Sequence, residues 1–249
     1  MSIAQLPNCL TPEAVRSLKP EKKLELLALL KKREQIVKHN RIDTFYPEAG
    51  PLRRELYPRH LEFFAAGAMH RERMFLAANR VGKTEGVGAY ETTLHLTGRY
   101  PAWWQGRRFD KPVRGWAAGE TGKTTRDIVQ LKLLGKRGEF GTGMIPAAYL
   151  RETPAKSGIA QAVEMIYVEH VAGGLSRLVL KSYDQGVDAF AGTEQELVWL
   201  DEEPPMGIYT ESLVRTMTTG GIVMTTFMPL NGQTELIKSF MPSDGTEED

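Results

Sequence analysis

The sequence predicts an α/β fold: a mostly parallel central sheet flanked by helices, with antiparallel additions and an N-terminal helical arm. Three observations carry this expectation. Short, largely apolar runs at 74–78, 197–200 and 222–226, with 113–118 resembling them, read as buried parallel strands. Helical stretches fall between them. Residues 163–168 and 177–182 alternate polar and apolar around Gly173-Gly174, which marks an antiparallel pair.

The elements follow in order. Residues 11–40 read as a helical arm: Thr11-Pro12-Glu13 supplies an N-cap and a proline at the first helical position. Pro20-Glu21 restarts the helix through Leu24, Leu26, Leu27, Leu29 and Leu30 to Ile36 and Val37. Acids lead and Lys31, Lys32 and Arg33 follow, as the helix dipole favours. Such a helix either packs its apolar side on the main body or serves as a docking arm. Residues 43–73 form a Pro-broken approach to the first strand. A helix is expected from Lys83 to Leu96, a loop over 99–112, a helix over 121–134 stopped near Gly135, and an irregular stretch over 135–158. Pro204-Pro205 opens a helix reaching Met217, and the acidic tail Glu247-Glu248-Asp249 is expected to fray. The chain thus divides into an arm (1–50), a core domain (51–240) and an acidic tail or linker (241–249).

Composition narrows the function classes. With 249 residues, 41% hydrophobic and 25% charged, the chain fits one large globular domain or two small ones, and neither a disordered nor a collagen-like chain. No apolar run is long enough to span a bilayer. Met1-Ser2-Ile3-Ala4-Gln5 lacks the basic and apolar regions of a signal peptide, so a soluble intracellular protein is expected. Cys9 stands alone, which excludes an internal disulfide and a cysteine-based zinc site, and the five histidines lack metal-ligand spacing. Net charge is +1, so any nucleic-acid surface must be local.

Ligands of open parallel sheets bind at the carboxyl ends of the strands. After the 74–78 strand comes Ala77-Ala78-Asn79-Arg80-Val81-Gly82-Lys83-Thr84 and then a helix. This approximates the phosphate-loop pattern G-x-x-x-x-G-K-[ST], with Ala77 in place of the first glycine. Backbone N–H groups of 79–84 at a helix N-terminus suit an anionic phosphate. Gly82 permits close approach, Lys83 reaches the terminal phosphates, and Thr84 is a candidate Mg²⁺ ligand. Gly122-Lys123-Thr124 also follows an expected strand, so the sequence holds two candidate loops. Arg80, a cation useful beside phosphates, favours the first.

Leu197-Val198-Trp199-Leu200-Asp201-Glu202 is a buried strand delivering two carboxylates at its C-terminal end. Asp201 is the expected metal carboxylate and Glu202 the group that orients and deprotonates water. A phosphate loop with this acid pair predicts a P-loop NTPase of the ASCE type, working with ATP and Mg²⁺. Tyr57 and His60, just upstream, are candidates to stack on and read an adenine. Thr225 and Thr226 end the fourth strand with hydroxyls suited to sensing hydrolysis. Arg99, Arg107, Arg108, Lys111 and Arg114, interleaved with Trp103 and Trp104, form either a DNA-backbone contact or a loop pinned by buried tryptophan. Arg126, Arg137, Arg177 and Arg215 are candidate arginine fingers.

Four further stretches join the 77–84 loop: Thr97-Gly98-Arg99-Tyr100-Pro101-Ala102-Trp103-Trp104-Gln105-Gly106-Arg107-Arg108-Phe109, Phe190-Ala191-Gly192-Thr193, Val198-Trp199-Leu200-Asp201-Glu202-Glu203-Pro204-Pro205, and Thr225-Thr226-Phe227-Met228-Pro229-Leu230-Asn231-Gly232. Together these resemble the ATPase domain of tailed-phage large terminase subunits, from about Tyr57 to Gly232. The resemblance implies a motor that hydrolyses ATP to pump double-stranded DNA into a procapsid. It implies a portal protein and a small terminase subunit as partners, a homo-oligomeric ring with an arginine reaching between neighbours, and work in the host cytoplasm at the portal. The family's phosphate loop falls on 77–84, with Lys83 and Arg80 as catalytic cations. Its metal carboxylate falls on Asp201, its catalytic glutamate on Glu202 and its coupling motif on Thr225-Thr226. Its adenine motif has Gln after an aromatic–Pro pair, where this chain has Tyr57-Pro58-Arg59-His60. Full-length members carry a C-terminal nuclease domain, so no nuclease activity is expected from these 249 residues. The alternatives are a helicase-like DNA-remodelling ATPase and a nucleotide-binding scaffold that does not hydrolyse.

Overall fold

A computed structural model describes residues 15–241. The helix start at Thr11, Cys9, the first five residues and the tail beyond Met241 lie outside the described residues.

Six strands form one sheet: β1 (Glu72–Leu76), β2 (Arg114–Gly119), β3 (Met165–Glu169), β4 (Leu175–Ser182), β5 (Leu197–Asp201) and β6 (Ile222–Phe227). Their order is β1-β6-β5-β2-β4-β3, and every neighbouring pair is parallel except β3 with β4. The expected α/β architecture with an antiparallel addition is what forms. β5 and β6 are buried at every residue, which is why each opens on an apolar run. β6 lies between the strand that feeds the 77–84 loop and the strand that carries the acids. The register aligns Leu76 with Phe227 and Asp201 with Thr226, so β1, β6 and β5 end level on one edge. That shared edge positions the site.

One face of the sheet is covered by α2 (Pro58–Ala66) and two composite helices. The first runs as a π-helix over Lys83–Ala89 and as α3 over Tyr90–Thr97. The second runs from Gly122–Thr124 through a π-wound Thr125–Gln130 to Leu131–Leu134. Phe64, Val87, Leu94, Leu133, Leu178 and Trp199 form the core there. The other face packs Trp116, Phe190, Leu200 and Val223 against α4 (Met206–Met217) and α5 (Glu235–Ser239).

The structure departs from expectation at both edges of the core. The arm helix exists as α1 (Pro20–His39), but it has no buried residue, and Leu24 and Leu27 are 69% and 53% exposed. It does not pack on the body as an amphipathic helix. Its leucines occur on several sides, so no single stripe can be buried. The packed body takes up the chain soon afterwards, since Ile42 and Tyr46 are core residues. The approach segment 43–73 contains α2, which begins at Pro58 and buries Phe63 and Phe64. Proline is tolerated at a first helical position because that N–H has no intrahelical partner. β1 starts at Glu72, earlier than the apolar run, because Arg73 is buried in an ion pair with Glu91 of α3.

The basic 99–114 loop is pinned inward. Arg99 bonds Asn40 and Asp43, the Arg107 and Arg108 guanidinia lie over Phe109 and Tyr100, Arg114 pairs with Glu196, and Trp104 is buried. Those four arginines are engaged within the fold, as in the second of the two readings.

Candidate active site

The segment after β1 turns sharply before the 83–97 helix. Arg80 and Gly82 both have left-handed backbone, φ +64° and +87°, and Val81 between them does not have positive φ. Alternating handedness of this kind turns successive N–H groups toward one concavity and favours an anion there. The helix that follows starts without any side-chain cap. Lys83 is 7% exposed, and its Nζ lies 3.4 Å from Asn79 Oδ1. Arg80 is exposed and has no hydrogen-bond or ion-pair partner among the described residues.

The second Gly-Lys-Thr is built differently. Thr121 caps its helix in a capping box with Thr124, and Asp184 accepts the Gly122 N–H at 3.2 Å. The Gly122 and Thr124 N–H groups are already engaged, the first by a carboxylate that disfavours a phosphate there. Between the two loops, the geometry favours 77–84.

The acidic strand end meets that loop. Thr84 Oγ1 donates to Asp201 Oδ2 at 3.3 Å, and Thr226 Oγ1 donates to Asp201 Oδ1 at 2.8 Å. Burial lifts the Asp201 carboxyl from its ordinary 3.8 to about 7; the Thr226 and Thr84 hydroxyls and the Lys83 charge oppose that rise, and the Glu202 charge adds to it. Such a buried carboxylate gains from a neighbouring cation, and a hydroxyl beside a carboxylate is a hard-oxygen pair of the kind Mg²⁺ takes. Glu202 follows in left-handed conformation, φ +62°, with its N–H bonded to Thr226 O at 3.0 Å.

The structure separates the two strand-end threonines. Strand alternation points Thr226 to the site and Thr225 to the other face, where its hydroxyl is buried without a partner. Of the two hydroxyls expected to sense hydrolysis, Thr226 alone reaches the acid strand end. Tyr57 and His60 border two cavities flanking the loop, of about 1020 and 320 Å³. His60 is 5% exposed, with its Nδ1 2.7 Å from Tyr46 Oη and its ring edge-on to Phe75. Burial holds its pKa below the ordinary imidazole value, so it underlies the loop as a neutral ring. Tyr57, half-buried beside it, is the more accessible of the two.

Three contributors escaped the sequence. Trp199 donates its indole N–H to Thr226 Oγ1 at 2.9 Å. Gly88 lies against that indole so closely that an added Cβ would fall 2.2 Å from Trp199 Cε2. Tyr183, following β4, donates to the carbonyl oxygens of Asp201 and Glu202 at 2.9 and 3.1 Å. Trp199 stood in a recognisable motif, but a hydrogen bond to a residue 27 positions on has no local signature. No group of three or more His, Cys, Asp or Glu side chains placed to hold a metal is found among the described residues, and no helix among them is long and apolar enough to cross a membrane.

Comparison with known proteins decides the family. The family model described as "Terminase large subunit, T4likevirus-type, N-terminal" matches residues 74–248. The large terminase subunit of Salmonella phage P22 is 34% identical over 245 residues, covering 90% of this chain and 47% of that protein. The chain belongs to the large terminase subunit family. It spans about half the length of the P22 relative it matches. Two solved structures of the large terminase from a thermophilic bacteriophage also resemble this terminase chain. One, in complex with ADP, has TM-score 0.44 and 16% identity over 69% of this chain and 37% of that one. The other has TM-score 0.47 and 13% identity over 68% and 37%. In this terminase chain the family match begins within β1 and takes in the loop, both carboxylates and Thr226.

Proposed function

We propose that this terminase chain is the ATP-hydrolysing domain of a DNA-packaging motor, driving double-stranded DNA into a viral procapsid. The observation that carries the reading is the approach of Thr84 to Asp201 beside an uncapped helix N-terminus. Those groups suit a triphosphate with a divalent cation, and membership of the terminase family supplies the motor context.

The residues take these roles. Backbone N–H groups of Asn79, Arg80, Val81 and Gly82 cradle phosphate, and Lys83 neutralises the terminal phosphates. Arg80, exposed above the loop, offsets charge that builds during transfer. Thr84 and Asp201 would hold Mg²⁺, which would offset the charge of the phosphates. Glu202 orients the attacking water and accepts its proton. Tyr57 offers its ring to the adenine, and His60 supports Tyr57 and Gly82 from beneath. Thr226 passes the state of the site into β6. The hydrolytic domain spans 51–240, with Ile42 and Tyr46 packed onto it. Work on DNA would engage a portal protein, a small terminase subunit and a ring of copies in the host cytoplasm, with an arginine reaching each site from a neighbour.

Phosphate release from ATP with Mg²⁺ tests the reading in wild type, Lys83→Ala and Glu202→Gln. Lys83→Ala is expected to weaken nucleotide binding and lower release. Glu202→Gln is expected to keep nucleotide affinity and lose hydrolysis by about 10²–10⁴-fold. Release by Glu202→Gln equal to wild type would remove Glu202 from the mechanism. No release by wild type, with DNA and partners present, would favour a scaffold.

A further inference from the structure

We propose that Tyr183 is a positioning residue for hydrolysis: its hydroxyl holds the backbone of Glu202 in the left-handed conformation that sets the direction of the carboxylate. This rests on the reading of Glu202 given above.

The argument begins with register. Ala118 of β2 is level with both Lys181 of β4 and Leu200 of β5. Counting one residue on, Ser182 is level with Asp201, and two residues on, Tyr183 is level with Glu202. β4 and β5 are separated by β2, so Tyr183 bonds across two strand spacings, about 10 Å. It does so at the strand end, where β2 finishes on the small residues Ala118 and Gly119.

Glu202 needs such support. A residue with a Cβ at φ +62° is strained and persists only where its surroundings over-determine it. Two sets of bonds do so here. The Glu202 N–H is fixed to Thr226 O at 3.0 Å, and Tyr183 Oη bonds the carbonyls on either side of the Glu202 N–Cα bond, at 2.9 Å to Asp201 O and 3.1 Å to Glu202 O. One hydroxyl thus bridges the two peptide units whose relative rotation defines the turn. Tyr183 is itself anchored: Ser182 and Gln185 form a capping box around its turn, and Asp184 N–H bonds Glu120 O. The ring is buried in the core against which β5 packs, so the hydroxyl has a fixed origin. Its two bonds both go to the backbone at the end of β5, so its effect reaches the chemistry through Glu202.

Tyr183→Phe isolates the hydroxyl while keeping the ring in the core. The expected result in the full chain with ATP and Mg²⁺ is a fall in kcat of about 10–100-fold with KM within about twofold, since a misdirected base slows chemistry without loosening substrate. Amide hydrogen exchange at Glu202 should accelerate while that of Leu197 to Leu200 stays slow. The double variant separates the two readings. If Tyr183→Phe adds no further loss to the residual rate of Glu202→Gln, the two residues act as one unit. If Tyr183→Phe lowers the Glu202→Gln rate by the same factor as the wild-type rate, its role is general and the inference fails. If kcat and exchange at Glu202 are both unchanged in Tyr183→Phe, it fails outright. If Glu202→Gln hydrolyses as wild type, the fault lies with the reading of Glu202 itself, which the exchange measurement does not depend on.

Discussion

Thr226 Oγ1 is fixed as a donor to Asp201. The indole N–H of Trp199 can only donate, and it does so to Thr226 Oγ1 at 2.9 Å, leaving the threonine's own proton for Asp201 Oδ1 at 2.8 Å. A core tryptophan on β5 thereby orients a hydroxyl on β6 toward the acid at the end of β5.

The two neighbouring threonines should therefore answer oppositely to the same substitution. Thr226→Val leaves the Trp199 N–H and one Asp201 oxygen without a partner, which costs about 1–3 kcal/mol of stability. Thr225→Val replaces a buried hydroxyl that has no partner with a methyl of similar size, so it should be neutral or stabilising. Denaturant unfolding of both variants checks this. Equal losses would mean that Thr225 has an unrecognised role.

Nucleotide affinity should distinguish the two Gly-Lys-Thr sequences. Lys83 is buried at a helix N-terminus without a cap, whereas Lys123 starts a helix whose donors Thr121, Thr124 and Asp184 occupy. Losing one charge-assisted contact costs about 1.5–3 kcal/mol, so Lys83→Ala should weaken ATP binding by about 10–150-fold. Lys123→Ala should leave it unchanged. Fluorescence titration with a nucleotide analogue reads both, and the reverse order would move the phosphate loop to 122–124.

The sheet and most of the site were legible because they rest on local patterns. Four buried strands declared themselves as apolar runs, and the loop and acid pair each follow one of them directly. Three kinds of feature were not legible. α2 was hidden by Pro58, which reads as a breaker although it stands at a first turn. The engagement of Arg99 and Arg108 depends on partners in remote or ring-bearing segments, so the sequence left the basic run open between a DNA-backbone contact and a pinned loop. Tyr183 could be linked to Glu202 only once the strand order was known, because nothing in a tyrosine after a strand says which carbonyls it will meet.

The stability of the nucleotide-free protein should depend on pH through Asp201. Its carboxyl titrates near 7 when folded, against an ordinary 3.8, because burial disfavours the charged form. Between roughly pH 4 and 7 the folded chain keeps a proton that the unfolded chain releases, so stability falls as pH rises across that window and levels off above it. Asp201→Asn carries no such proton. The stability advantage of the Asn variant over wild type should widen from pH 4 to 7 and then stay constant. Adding Mg²⁺ with nucleotide should raise wild-type Tm more at pH 8 than at pH 6, since the ligand needs the ionised form, and should do little for Asn. Melting curves across pH check it, and a gap that stays constant with pH would show that Asp201 is ionised normally.

Gly88 ties the phosphate-loop helix to the acid strand by contact alone. Any Cβ there would lie 2.2–2.4 Å from three atoms of the Trp199 indole, all of them in a rigid buried ring rather than at a flexible end. Gly88→Ala normally gains helix propensity, about 1 kcal/mol. Here overpacking should outweigh that gain, by about 1–3 kcal/mol or more. The indole cannot retreat without breaking its bond to Thr226, and through it the support of Asp201. Gly88→Ala should therefore lower both Tm and the hydrolysis rate, whereas Ala89→Gly, one residue on, should lower Tm alone. Unfolding and phosphate-release assays on the pair check this, and a Gly88→Ala chain with wild-type turnover would show that the loop and the acid strand are not coupled through Trp199.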